Sequence, residues 1–155
     1  MNNAIVVLIV MVTLMIIPLW ASETSKPQIH VFHKQKAPSL KALGKIKEVL
    51  ASFPDKYSVL YCDIEDEANL EQIQSFGLPS THFPIAVVID GKFTVVRDDR
   101  IISFVHFPLF MKGIGRHEGN WDISDLEAAI KDPSIFFETN ILPELEKEET
   151  EGECE

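Results

Sequence analysis

Apolar and polar positions divide the chain into stretches of different period. From Ala4 to Ala21 an almost wholly apolar run contains no charged residue. Beyond a short polar linker, Gln28 to His33 alternates polar and apolar residues and reads as a strand. Ser39 is placed to cap a helix whose apolar positions Leu40, Leu43, Ile46, Leu50 and Phe53 recur at helical spacing, ending at Pro54. Tyr57 to Ile64 reads as a second strand, partly buried on both faces, and Asp66 to Phe76 as a second helix closed by Gly77. The continuous apolar run Ile85 to Ile89 suits a central strand. The Asp90-Gly91 turn then predicts that Lys92 to Arg97 returns antiparallel to it. Ile101 to Met111 is strongly apolar and suits another strand or edge, although Pro108 argues against a central position throughout. Gly113 to Gly119 reads as a loop, and Ser124 as the cap of a last helix with Leu126, Ala129 and Ile130 inward.

These periods divide the chain into an N-terminal segment (1–22), a single α/β domain (27–132), an apolar extension (133–143) and a tail (144–155). Eighteen helical residues from Ala4 to Ala21 would span about 27 Å against a hydrocarbon core of about 30 Å. Pro18 and the small Ala21 resemble the end of a signal peptide. The absence of a preceding Lys or Arg and the bulk of Leu19 instead favour an uncleaved anchor. Both alternatives send the domain out of the cytoplasm, as a secreted or periplasmic protein or one tethered to the membrane.

Composition narrows the classes. Of a net charge of -10, the last twelve residues, with seven Glu and one Lys, supply -6, and such a tail is expected to stay solvated and disordered. No basic stripe exists to neutralise phosphates, which argues against nucleic acid as a partner. The two cysteines, Cys62 and Cys154, are too few for a disulfide framework, so packing must supply stability.

Strand, helix, strand, helix, a proline-led strand, a hairpin and a last helix form an order that resembles the thioredoxin-like superfamily. The resemblance rests on Ile29 to Phe32 running into a loop and long helix, on Phe83-Pro84-Ile85-Ala86-Val87-Val88-Ile89-Asp90-Gly91-Lys92, and on the helix from Ser124. It implies a three-layer α/β fold with a central mixed sheet and a cis peptide bond before Pro84. Aligned on its proline, the family's Cys-Gly-Pro-Cys position falls on Lys36-Ala37-Pro38-Ser39, which has no thiol. Dithiol exchange needs an attacking thiolate and a resolving thiol at that helix start, so no thiol-disulfide oxidoreductase activity is expected. The stretch from Arg100 to Trp121 is an insertion relative to the minimal family pattern, and it is rich in aromatic residues.

The expected function is therefore binding of a protein or peptide partner without a cofactor. The binding residues implied by the resemblance are Lys36, Pro38, Ser39, His82, Phe83 and Pro84, with the aromatic insertion as a second surface. The alternative uses the five histidines: His33, His82 and His117 would bind zinc or copper, or serve an enzyme. No pair has the spacing of a known metal motif, and His30 and His33 face opposite sides of a strand. Gly113-Ile114-Gly115 lacks the strand-to-helix context of a phosphate loop, and no nucleophile-elbow sequence surrounds Ser39, Ser80 or Ser103.

Overall fold

A computed structural model describes residues 26–80, 82–113 and 117–143. The apolar N-terminal segment, Cys154 and the acidic tail lie outside the described residues. Among those described, no helix is long and apolar enough to cross a membrane.

The centre is a mixed sheet of three strands in the order β2-β1-β3, with β1 at Gln28–His33, β2 at Ser58–Asp63 and β3 at Ile85–Ile89. β2 runs parallel to β1 and β3 antiparallel, so that Val31 lies between Tyr61 and Val87. All five residues of β3 are buried, as an uninterrupted β-branched and aliphatic run requires of a strand covered on both faces. β2 is partly buried on both faces, as expected, with Val59 packed against one core and Cys62 buried in the other, while Leu60 and Tyr61 are exposed. Its position at the sheet edge explains this.

Helices cover both faces. α1 (Ala37–Leu50) and α3 (Ile123–Lys131) pack Ala42, Leu43, Ile46, Leu126 and Ile130 with Ile29, Val31 and Val87. α2 (Leu70–Ser75) places Ile73 on the other face with Phe32, Phe83 and Val88. Period-two alternation along β1 thus divides one strand between two cores. Among the described residues the chain is a mixed α/β domain with three α-helices.

The helix starts correct the expectation. α1 begins ahead of Ser39, with Lys36 at the cap position making no side-chain bond and Pro38 in the first turn. Proline carries a preset φ and lacks the N–H that a first turn leaves unpaired, so it starts the helix without a capping serine. Ser39 turns into the core and Leu40 out. α3 is capped by Asp122, not Ser124, through a reciprocal box with Asp125. α2 is shorter than expected, being preceded by a 3-10 turn at Glu67–Asn69. It ends where Gly77, at φ 76, allows Leu78 N–H to reach Ile73 O at 3.2 Å and Gly77 N–H to reach Gln74 O at 2.9 Å.

The stretch after β3 departs most from the reading of the sequence. Lys92 to Arg97 does not return along β3. The two runs pair only at the Ile89–Lys92 bridge, after which β4 (Thr94–Arg97) pairs with β5 (Arg100–Ser103) in a separate two-stranded sheet. Asp98 and Asp99, at φ 51 and 57, form the two-residue turn. Residues 104–106 then take the free side of β3, with Val87 N–H to Phe104 O and His106 N–H to Ile85 O both 2.9 Å. The Asp98-Asp99 turn lacks the glycine that marks such turns in a sequence, which is why the hairpin was not anticipated.

No cis peptide bond occurs among the described residues, which corrects the expectation at Phe83-Pro84. Lys34 N–H donates to Pro84 O at 3.1 Å and so prolongs the β1–β3 pairing through the proline. The sharp turn instead falls on His82, at φ 77.

Candidate functional site

At the end of the sheet where β1 and β2 finish, the six binding residues expected from sequence separate by exposure. Lys36 and His82 are exposed and Pro38 half-buried, whereas Ser39, Phe83 and Pro84 are buried. Three of the six are therefore part of the packed interior. Lys36 Nζ lies 3.7 Å from Glu65 Oε1, an exposed pair. Beside it a cleft of about 310 Å3 is lined by Lys34, Ile64, Glu65, Asp66, Leu70 and Ser80. Cys62, the next-to-last residue of β2, is buried, with its thiol 3.9 Å from Gln72 Oε1 and its pKa raised by burial.

The histidines do not gather. His33 is paired with Ile85 across the sheet and His106 N–H donates to Ile85 O on the far side of β3, so the two backbones lie one strand apart with Ile85 between them. His117 stacks on His106 with ring centroids 5.4 Å apart and planes 22° apart, while His82 sits on the exposed loop. Among the described residues no three His, Cys, Asp or Glu side chains are arranged to hold a metal ion, which corrects the expected set His33, His82 and His117. The sheet spacing separates His33 from His106, and parallel stacked rings do not aim their nitrogens at a common point. Burial, and secondarily the charge of His117, lower the pKa of His106 to about 4. His30, on the opposite face, is buried against Phe32 and Phe76 with its Nε2 2.9 Å from Gln72, and burial lowers its pKa.

The β4–β5 hairpin presents a different surface. One face of the β4–β5 hairpin buries Val95 and Ile102 in the core, and on the other the cross-strand neighbours Val96 and Ile101 are 37% and 47% exposed. Next to them on that outer face lie the buried hydroxyls of Thr94 and Ser103, which are covered by Ile141. Ile141 N–H donates to Thr94 Oγ1 at 2.8 Å and Ser103 Oγ–H donates to Ile141 O, while the Ile141 side chain stays 38% exposed. Val96, Ile101 and Ile141 so form an apolar face on an element that projects from the three-stranded sheet. On the following turn, Leu109 and Phe110 are 41% exposed. Phe104, Phe107 and Trp121 are buried, so most of the insertion's aromatic content is core.

Two asparagines close the hairpin's edges, and nothing in the sequence reading singled them out. Asn120 donates to Ile101 O at 3.0 Å and accepts from Ser103 N–H at 2.9 Å. Asn140 donates to Gly91 O and accepts from Phe93 N–H, both at 2.9 Å. Each side-chain amide takes a carbonyl and the N–H two residues on, as a residue of a neighbouring strand would. The only sequence signal was an amide residue beside a strand or in an apolar extension, which is common. No family model, curated protein or solved structure matches the chain.

Proposed function

We propose that this protein is an exported, thioredoxin-like domain without dithiol chemistry that binds a protein or peptide partner through its β4–β5 hairpin. Three features support the fold assignment: the element order, the sheet order β2-β1-β3 with β3 antiparallel, and residues 104–106 in a fourth position beside β3. On this reading the hairpin is a ten-residue excursion, 94–103, inserted between the turn after β3 and that fourth position. The thiol-free helix start at Lys36 to Ser39 and the buried Cys62 favour binding over redox exchange. The apolar N-terminal run supports export.

The observation that carries the reading is the exposed apolar face of Val96, Ile101 and Ile141. A two-stranded excursion with one face in the core and a second apolar face outward has little reason to keep the latter unless something covers it. The trans bond before Pro84 and its burial favour the hairpin over that segment as the contact. The test is site-specific photo-crosslinking in the native host. A crosslinker at Ile101 is expected to give one discrete adduct that disappears with Val96→Asp, and a crosslinker at Glu71, on α2, is expected to give none. Equal labelling from both positions, or an adduct indifferent to Val96→Asp, would refute the assignment.

A further inference from the structure

Charge distinguishes the two ends of the hairpin's apolar face from its middle. From the tip inward, the outer face passes from the Asp98-Asp99 turn to Val96 and Ile101, and then to Thr94 and Ser103, whose hydroxyls the Ile141 main chain holds. Asp98 and Asp99 are exposed, as is Glu138. Pro143, two residues beyond Ile141, is followed in the sequence by twelve residues with seven Glu and one Lys, a net charge of -6. Carboxylates therefore lie at one end of the apolar strip and follow in sequence from the other. The neighbouring cations are directed elsewhere. Arg97 and Arg100 pair at inward positions of the strands, in step with Val95 and Ile102. Arg97 lies 2.8 Å from the buried Asp125 and 3.7 Å from Asp98, and Lys92 Nζ donates to Glu138 O.

We propose that the partner seated on Val96, Ile101 and Ile141 presents an apolar stretch flanked by lysine or arginine, and that the acidic residues 144–155 and the Asp98-Asp99 turn attract it there. This rests on the hairpin being the contact and names the chemistry of the partner. The two parts contribute differently. Covering the exposed aliphatic side chains removes apolar surface from water and supplies short-range affinity. The carboxylates act earlier, because their attraction reaches over about 8 Å at physiological salt and steers a basic partner before any apolar contact forms. Charge of one sign next to the apolar face also sets specificity, since an acidic partner of the same shape is repelled. The same repulsion acts against a lipid surface of anionic headgroups, so this face selects a basic polypeptide over a membrane.

The probes are fluorescent peptides titrated by anisotropy against the full-length chain. Lys-Lys-Leu-Val-Leu-Lys-Lys is expected to bind saturably. Its analogues with Ser-Gly-Ser at the centre, or with Glu in place of every Lys, are expected to bind at least about tenfold more weakly. Replacing all seven glutamates of residues 144–155 by glutamine is expected to weaken binding about tenfold and to flatten its dependence on salt. Val96→Ser with Ile101→Ser is expected to weaken binding while the salt dependence remains, and both side chains are exposed, so the core is kept. Absence of saturable binding, equal binding of the three peptides, or binding indifferent to the glutamates would overturn the proposal. Binding to vesicles of phosphatidylserine and phosphatidylcholine that the double serine variant abolishes would overturn it in favour of a lipid surface. A discrete crosslink from Ile101 that survives the change of glutamate to glutamine would reject the basic partner and leave the hairpin as the contact, whereas absence of any crosslink from Ile101 would reject the contact itself.

Discussion

Cys62 shows how position in the fold decides a side chain's chemistry. Its thiol sits in an apolar cluster with Phe32, Ile73 and Phe83, and burial pushes its pKa up, away from the thiolate that alkylating reagents and disulfides require. In a Cys154→Ser background, iodoacetamide at neutral pH is expected to leave Cys62 unmodified until denaturant is added, as mass spectrometry will show. Rapid labelling of the folded chain would place the thiol at the surface. His106 makes a second prediction at this scale. The unfolded chain takes up a proton near the ordinary pKa of 6.5, and the folded chain refuses it until about 4. Its contribution to stability is thus fully present above pH 6.5 and is lost as pH falls toward 4, with a slope approaching about 1.4 kcal/mol per pH unit. His106→Asn suits the φ of 70 at this position and lacks the titration. Urea unfolding at pH 7, 5.5 and 4.5 is expected to show a shallower decline for the variant, and parallel curves would refute it.

Among elements, the attachment of the hairpin to α3 depends on Asp125. Its buried carboxylate accepts from Asp122 N–H at 2.8 Å and from the Arg97 guanidinium at 2.8 Å, joining a helix cap to the end of β4. Asp125→Ala removes both and is expected to cost about 2 kcal/mol, read as a lower urea midpoint. Arg97→Met is expected to cost no more than this, because the arginine remains 36% exposed to water. A larger loss from Arg97→Met than from Asp125→Ala would contradict this account. The elements themselves were largely legible. β1, β3 and the inward residues Leu126, Ala129 and Ile130 follow from period and β-branching. The helix caps were not, because serine at 39 and 124 offered plausible caps while Pro38 and Asp122 began the helices earlier. A local pattern signals that a helix starts, but the neighbouring structure selects which residue starts it.

For the whole molecule, export is the prediction with the most direct readout. Mass spectrometry of the protein from its native source is expected to find an N-terminus near Ala21 in a soluble extracytoplasmic fraction, or the intact segment in a membrane fraction. A soluble cytoplasmic chain retaining Met1 would reject both. The sequence alone determined that the chain builds a mixed α/β domain, that the stretch Lys36 to Ser39 carries no thiol, and that its charge concentrates at the C-terminus. Those properties are local or compositional, so counting and period suffice. Tertiary structure alone decided which strand borders β3, that Phe83 and Pro84 are buried, and that His33 and His106 are separated by Ile85. It also decided that Asn120 and Asn140 complete the hairpin's edges. These depend on contacts between residues far apart in the chain, such as Phe93 with Asn140, whose favourable energy appears only once the core has set the two segments side by side.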